Sequence, residues 1–172
     1  MRKAWIFFSF LLVLSQAAVG LGFDCKNIPF GSDLGDINQD GYFVKYAEKA
    51  GVSFYNYTGP CRMALHEDSN AAISYAFVGN KIYARIIRTF NDSLEKIEKT
   101  IICQAGAPDS RTQSGDWVVF SWNYPEKELK SKLKFNTVTR ETKSVVYYEP
   151  LRKMLGQGHG TTAHSEFLLE QN

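Results

Sequence analysis

AAISYAFVGNKIYARIIRTF, residues 71–90, is the clearest structural signal in this chain. It contains two runs rich in aromatic and β-branched residues, which favour strands. The pair Gly79-Asn80 between the runs suits the two-residue turn of a β-hairpin. We therefore predict an antiparallel pair of strands over residues 71–78 and 81–90.

Further strand-like segments lie on both sides of this hairpin, and turn residues separate most of them. They comprise residues 42–48, 52–57, 61–67, 94–104, 116–124, 129–139 and 143–149. The pattern lacks the long amphipathic helices of βαβ units and favours an antiparallel meander. Such sheets avoid exposed edges by closing on themselves. The predicted fold is all-β, an eight-stranded antiparallel up-and-down barrel over residues 23–150.

Residues 94–104 are open to a second interpretation. Charged residues at helical spacing would support helical pairs: Glu95, Lys96, Glu98 and Lys99. The β-branched run Thr100-Ile101-Ile102 favours a strand, which we assign here. A helix in this position would indicate a secreted α+β fold instead.

The chain begins with the features of a secretory signal peptide. Arg2 and Lys3 precede an uncharged apolar run, which ends in small residues at Ala18 and Gly20. The run is short for a membrane span, which needs roughly 20 apolar residues. We therefore predict cleavage after Gly20 or Gly22 and a secreted, extracellular protein without a membrane span.

The two ends of the predicted barrel differ from its strands. Residues 23–41 are rich in Gly, Asp and Asn and are predicted to be irregular. Residues 151–172 form a predicted C-terminal tail with a short helix at most. The domain assignment is therefore a signal peptide over residues 1–20 (cleavage up to residue 22), a barrel and a tail.

The charge balance argues against one class of partner. The chain holds 20 Lys and Arg against 18 Asp and Glu, and loss of Arg2 and Lys3 with the signal peptide leaves 18 against 18. Nucleic-acid binders normally carry a basic excess. We therefore expect no nucleic-acid partner.

Cysteines and sequons fit an oxidising compartment. Cys25, Cys61 and Cys103 follow the signal peptide, which predicts one disulfide and one remaining thiol. The sequence does not choose among the three pairings. Asn56 and Asn91 begin N-x-S/T sequons and are candidate glycosylation sites.

Strand periodicity groups the large apolar side chains on one face. In a closed barrel this face would line a ligand cavity, whereas the alternative is an ordinary packed core. Arg88 is in phase with Ile82, Ala84 and Ile86, and it would need an anionic partner if it pointed inward. The candidate ligand-binding residues are Tyr75, Phe77, Ile86, Arg88, Phe120, Trp122, Phe135 and Tyr148.

The sequence offers no assembled set of catalytic or metal-binding residues. His66 and Glu67 are adjacent on a predicted strand, so their side chains would point to opposite faces. His159 and His164 lie in the Gly-rich tail, and the cysteines are too far apart for a zinc site. We therefore expect no enzyme activity, no cofactor and no bound metal.

The order of these features resembles the lipocalin family. Asp40-Gly41-Tyr42-Phe43-Val44-Lys45-Tyr46 is similar to a degenerate form of the family's first-strand motif of Gly, any residue, then Trp. Here Tyr42 directly follows Gly41, and no Trp is present. The divergent salivary lipocalins of ticks depart from the motif in similar ways and are similar in size and in their sequons.

This resemblance implies a secreted carrier or scavenger of a small apolar or amphipathic ligand. A lipid, a sterol or a biogenic amine would be such a ligand, and its removal would modulate host defence. The alternative is a secreted protein–protein modulator, either an inhibitor or an immune modulator, that acts on host cells or proteins and uses the barrel as a scaffold. A hollow barrel would favour the carrier, and a filled barrel with an exposed apolar patch would favour the modulator.

Overall fold

The structure is a computed structural model that describes residues 23–24, 28–59, 62–63, 71–90 and 93–156. Predictions for the signal peptide, for Cys25, Cys61, Asn91, His66 and Glu67, and for residues 157–172 lie outside the described residues. Within them, the protein is all-β with an eight-stranded antiparallel sheet and few helices. None of the described helices is long and apolar enough to cross a bilayer.

The described elements comprise ten strands, three α-helices and one 3₁₀ turn. The strands are β1 Phe23–Asp24, β2 Phe43–Lys49, β3 Val52–Tyr57, β4 Arg62–Met63, β5 Ala72–Val78, β6 Lys81–Thr89, β7 Ser110–Ser114, β8 Trp117–Tyr124, β9 Leu129–Asn136 and β10 Thr142–Tyr148. The helices are α1 Leu34–Ile37, α2 Leu94–Ala105 and α3 Glu149–Gly156, and the 3₁₀ turn is Pro125–Lys127.

The eight-stranded sheet is not closed into a barrel. Its strand order is β2-β3-β5-β6-β10-β9-β8-β7, so β2 and β7 are its two edges, while β1 and β4 form a separate pair. After β6 the chain crosses through α2 to the far edge and returns strand by strand until β10 pairs with β6. Two four-stranded meanders therefore share one open sheet, and the predicted up-and-down barrel is not confirmed.

The predicted strand over residues 94–104 is wrong, because this segment is helix α2. The Ser93 side chain accepts a hydrogen bond from the Lys96 backbone amide at 3.3 Å, which caps the helix. Ile97 and Ile101, four residues apart, are buried together against β8 and β9. The cap and this apolar stripe outweigh the strand preference of the β-branched run.

Strand β7 lies in residues 105–115, between the predicted strands over residues 94–104 and 116–124, where no strand was predicted. All five of its residues, Ser110 to Ser114, are exposed and polar. It is held by antiparallel pairing with β8. An edge strand with no apolar face has no hydrophobic periodicity, so the sequence pattern did not indicate it.

The predicted hairpin over residues 71–90 is confirmed as β5 and β6, with one correction of phase. The register shifts between Ala76 and Phe77, because Tyr83 is an extra, bulged residue on β6. As a result Ile82 packs beside Phe77, whereas Ala84 and Ile86 belong to another cluster. The predicted common face of Ile82, Ala84 and Ile86 is therefore wrong for Ile82.

The sheet has two differently covered faces. The inner face carries a core cluster that includes Phe54, Ala84 and Val145, against which Leu151 of α3 packs. The outer face carries one cluster under residues 28–37 and a second cluster under α2. The inner face is left open beyond α3, and the candidate site lies there.

The register of the small sheet predicts a disulfide. Asp24 of β1 lies opposite Arg62 of β4, and in the sequence Cys25 directly follows Asp24 and Cys61 directly precedes Arg62. Cys103 in α2 is exposed and not disulfide-bonded. We predict a Cys25–Cys61 bond, whose loss in Cys25→Ser should cost about 2–4 kcal/mol of unfolding free energy. Non-reducing peptide mapping and urea unfolding test this, and recovery of a peptide linked through Cys103 would contradict it.

Candidate functional site

A pocket of about 280 Å³ opens on the inner face of the sheet. Its lining comes from β2, β3, β5, β6 and β10 and comprises Tyr46, Asn56, Ala72, Ser74, Ile86, Arg88 and Lys143. In a flat sheet the outermost two of five neighbouring strands would lie about 19 Å apart. Because all five line one small pocket, the sheet must curl around it.

The sheet register brings three cations together at one end of this pocket. Arg88 of β6 lies directly opposite Lys143 of β10, and Lys143 lies directly opposite Lys134 of β9. Directly opposite residues share a face, so these side chains form a cationic row across three strands. Like charges in this relation destabilise a sheet. Repulsion within the cationic row therefore destabilises this part of the sheet.

One carboxylate and one indole offset part of that cost. The Glu141 Oε1 atom lies 3.0 Å from Arg88 Nε and 3.5 Å from Lys143 Nζ. The Nζ atoms of Lys134 and Lys143 lie 5.1 and 5.8 Å from the centroid of the Trp117 ring, within cation–π range. Two cations of the row thus share one carboxylate, and two share one aromatic face.

The electrostatics of Lys143 show that this compensation is incomplete. The residue is only 6% exposed. Burial lowers the pKa of its ammonium group, Glu141 raises that pKa, and Arg88 and Lys134 lower it further. The net pKa shift is downward, so the neighbours do not replace the hydration that the ammonium group has lost. An anion bound in the pocket would supply the missing stabilisation.

The remaining walls of the pocket are partly apolar and partly polar. Ile86 and Ala72 contribute aliphatic surface, and Tyr46 contributes an aromatic ring. The Ser74 hydroxyl donates to Asn56 Oδ1 at 2.9 Å, which forms a polar wall beside them. Burial raises the pKa of the Tyr46 hydroxyl, and a hydrogen bond with Ser74 and the charge of Arg88 lower it; the net shift is upward, so the hydroxyl stays protonated at neutral pH. The site combines a cationic end with a short amphipathic groove.

Of the eight residues predicted to contact ligand, Ile86 and Arg88 line this pocket. Tyr75 and Phe77 lie on the outer face, where their rings pack 5.2 and 5.8 Å from the ring of Phe43. Tyr148 is half-buried and donates from its hydroxyl to Glu128 Oε2 at 3.2 Å. Their predicted contact with a ligand stays a prediction.

The other three predicted residues, Phe120, Trp122 and Phe135, also lie on the outer face, under α2. Trp122 donates from its indole nitrogen to the Gly106 carbonyl oxygen at 3.1 Å. The gap beside Phe120 and Trp122 has a volume of about 10 Å³, which is too small for more than a water molecule. These side chains serve as packing for the helix.

Lys143 was not among the residues predicted to bind ligand, although the sequence carries a signal for its place in the site. The alternation Lys130, Lys132, Lys134 places all three lysines on one face of a strand. A tight hairpin after this strand would have placed Lys134 opposite Lys143. The polar residues Asn56 and Ser74 had no comparable signal, because they reach the pocket only through the curl of the sheet.

The described residues contain no cluster of side chains that could bind a metal ion. No group of three or more His, Cys, Asp or Glu side chains within the described ranges is placed to hold a metal ion. The polar side chains that line the pocket are those of Lys143, Arg88, Tyr46, Asn56 and Ser74.

Comparisons with known proteins place few limits on function. No protein-family model matches the chain, and no curated protein matches it. One similar solved structure is that of a cysteine-rich secretory protein from Staphylococcus aureus subsp. aureus Mu50, with 10% identity and a TM-score of 0.39. The match covers 71% of this chain and 45% of that protein, so the chain spans less than half the length of the protein it matches.

Proposed function

We propose that this protein is a secreted carrier or scavenger of a small amphipathic ligand with a negatively charged head group. The observation that carries the proposal is the cationic row of Lys134, Lys143 and Arg88, which ends in a pocket with aliphatic and aromatic walls. Arg88 and Lys143 would donate charge-assisted hydrogen bonds to the head group. Ile86 and Tyr46 would contact the apolar part.

The charge of the site selects among the ligand classes that the sequence suggested. A protonated biogenic amine would meet two like charges at Arg88 and Lys143. A carboxylate, sulfate or phosphate would instead relieve their repulsion. The pocket volume of about 280 Å³ lies at the lower end of small-molecule sites. A short acidic lipid therefore fits better than an amine.

Secretion, the lipocalin resemblance and a role in host defence stay part of this proposal. The signal-peptide pattern at residues 1–20 supports an extracellular location. A closed lipocalin-type barrel is not required, because the curl of β2 to β10 already surrounds the pocket on one side. The alternative, a modulator of host proteins, needs no ligand in this pocket, and the binding experiment therefore separates the two hypotheses.

The test uses four probes that share an eight-carbon chain and differ in their head groups. Isothermal titration calorimetry would compare octanoate, octyl sulfate, octylamine and octanol, all below their micelle-forming concentrations. We expect the two anions to bind, octanol to bind more weakly and octylamine not to bind. Equal affinity for all four probes, or no binding of any of them, would contradict the proposal.

Two variants locate the binding on the protein. Arg88→Met removes a charged donor and should weaken octyl sulfate binding by about 10- to 100-fold. Lys127→Met removes the same charge from an exposed turn and is the matched control. Ala72→Trp places a large ring in the pocket from an exposed position and should block both anions. Unchanged affinity in Arg88→Met and Ala72→Trp would show that the ligand binds elsewhere.

A further inference from the structure

The inner face carries a second charged feature beyond the pocket. Lys130, Lys132 and Lys134 alternate along β9 and lie opposite Tyr147, Val145 and Lys143 of β10, respectively. Tyr147 and Val145 belong to the inner-face cluster, so all three lysines project from that face. We call these three residues the lysine ladder. All three are partly exposed.

The surroundings of the lysine ladder are polar and open. On the β8 side, the ladder lies opposite Asn123, Ser121 and Val119. Trp117 lies at the end of the same face, under Lys134. Beyond β8, the edge strand β7 is fully exposed and carries Ser, Thr, Gln and Arg. On β7, β8 and β9, no acidic residue interrupts this face.

Positive charge is concentrated on this face of the sheet. After loss of the signal peptide the basic and acidic residues balance at 18 each. The ladder together with Lys143 and Arg88 nevertheless places five cations on one surface. Glu141 contacts the last two, and Glu149 Oε2 lies 3.7 Å from Lys130 Nζ. A neutral chain that concentrates its cations in this way presents a directional positive field.

The spacing of these cations fits a linear polyanion. Alternate residues on a strand lie about 6.6 Å apart, and neighbouring strands about 4.8 Å apart. The ladder thus extends over about 13 Å along β9. From the charge, the spacing and the open polar surface, we infer that this face docks a linear sulfated polysaccharide. This inference goes beyond the proposed ligand pocket and rests mainly on Lys130 and Lys132, while Lys134 belongs to both the ladder and the cationic row.

The composition of the face favours a sulfated glycan over other polyanions. A surface that inserts into a membrane carries apolar side chains that enter the lipid. The large apolar residues that are exposed in the described chain lie off this face or at the far edge: Val44, Tyr46, Phe90, Ile102, Val138 and Met154. Hydroxyl, amide and indole groups suit the hydroxyls and ring faces of sugars, and the secretory signal places the protein where sulfated glycans occur.

The experiment measures binding to heparin by surface plasmon resonance at about 0.15 M salt, a physiological ionic strength. The triple variant Lys130→Gln, Lys132→Gln, Lys134→Gln should weaken binding at least about tenfold, because each lysine near an anionic surface contributes appreciably. The matched control is Lys81→Gln, Lys96→Gln, Lys99→Gln, which removes the same charge from exposed positions at the start of β6 and in α2. The control triple variant should bind nearly as the wild type does.

Three outcomes would overturn the inference. The first is an equal loss of heparin affinity in both triple variants, and the second is no heparin binding by the wild-type chain. The third is stronger binding to phosphatidylserine vesicles or duplex DNA than to heparin. Unsulfated dextran should not bind. Ala72→Trp, which blocks the pocket, should retain heparin binding. Heparin binding tests the lysine ladder, and binding of the eight-carbon anions tests the ligand pocket. A negative result for one proposal is therefore distinguishable from a negative result for the other.

Discussion

Replacing Lys143 with methionine should weaken octyl sulfate binding by about 10- to 100-fold without destabilising the protein. Lys143 is buried, and the charges of Arg88 and Lys134 lie beside it. Methionine retains most of the apolar stem and removes the charge. Glu141 keeps its contact with Arg88 at 3.0 Å, so no buried carboxylate loses its last partner. The free energy of unfolding should stay the same or rise by up to about 1 kcal/mol.

Urea unfolding and calorimetry on the same preparations measure both effects. A purely structural lysine would show the opposite pattern, with a loss of stability and no specific loss of affinity for anions. Lys127→Met again controls for the change in net charge. A drop in unfolding free energy of more than about 2 kcal/mol, a typical value for the loss of a buried partner, would contradict our interpretation of Lys143.

The pH dependence of stability provides a second readout on Lys143. Burial lowers the pKa of this ammonium group in the folded protein below its ordinary value of about 10.4. Between the two pKa values the unfolded chain binds a proton that the folded chain does not, so this group makes stability rise with pH. Below the lowered pKa its burial cost is fully present. The stability difference between Lys143→Met and the wild type should therefore narrow as pH rises through this window.

Ligand affinity should change in the opposite direction. An anion in the pocket favours the protonated form of Lys143, so binding of octyl sulfate should weaken as pH rises through the lowered pKa. In Lys143→Met, the affinity for octyl sulfate should not decrease over this pH range. The pH profiles of unfolding free energy and of octyl sulfate affinity should both change over the titration of Lys143. This agreement would show that the residue that destabilises the cationic row also binds the anion.

Local patterns predicted much of the sheet, but they also led to a closed barrel, whereas the sheet is open. The Gly79-Asn80 turn and its flanking strands were correct because a primed turn and β-branched runs act within a few residues. The bulge at Tyr83 in β6 was not predictable in this way, because it depends on packing between strands. Helix α2 was misassigned because a capping Ser93 and two isoleucines four residues apart outweighed the β-branched run.

Only two of the seven residues that line the pocket were predicted to bind ligand, for a related reason. Ile86 and Arg88 were selected from strand phase, and both line the pocket. The aromatic residues selected with them, such as Phe120 and Trp122, face the opposite side of the sheet under α2. In a closed barrel, all of these residues would face the same central cavity. In an open sheet both faces are covered, so strand phase alone does not distinguish a binding face from a packing face.

A glycan on Asn56 should abolish binding of anionic ligands to the pocket. Asn56 begins an N-x-T sequon, its side chain is exposed, and it lines the pocket from β3. Its Oδ1 atom accepts from the Ser74 hydroxyl at 2.9 Å, which leaves the amide nitrogen as the atom that would carry the sugar. The first sugar residues would then occupy the mouth of a pocket of only about 280 Å³. Glycosylation of this residue would act as an on–off control of the site.

Expression in a eukaryotic secretory host tests this prediction, with glycoforms separated before calorimetry. Thr58→Ala removes the sequon while keeping the Asn56 side chain in the pocket and should restore full octyl sulfate binding. Asn91→Gln removes the other sequon and should leave the effect of the Asn56 glycan unchanged. If the host leaves Asn56 unmodified, Asn56→Cys in a Cys103→Ser background, labelled with a bulky maleimide, should give the same block. Undiminished binding by the Asn56-glycosylated or labelled protein would show that the ligand does not enter through this mouth.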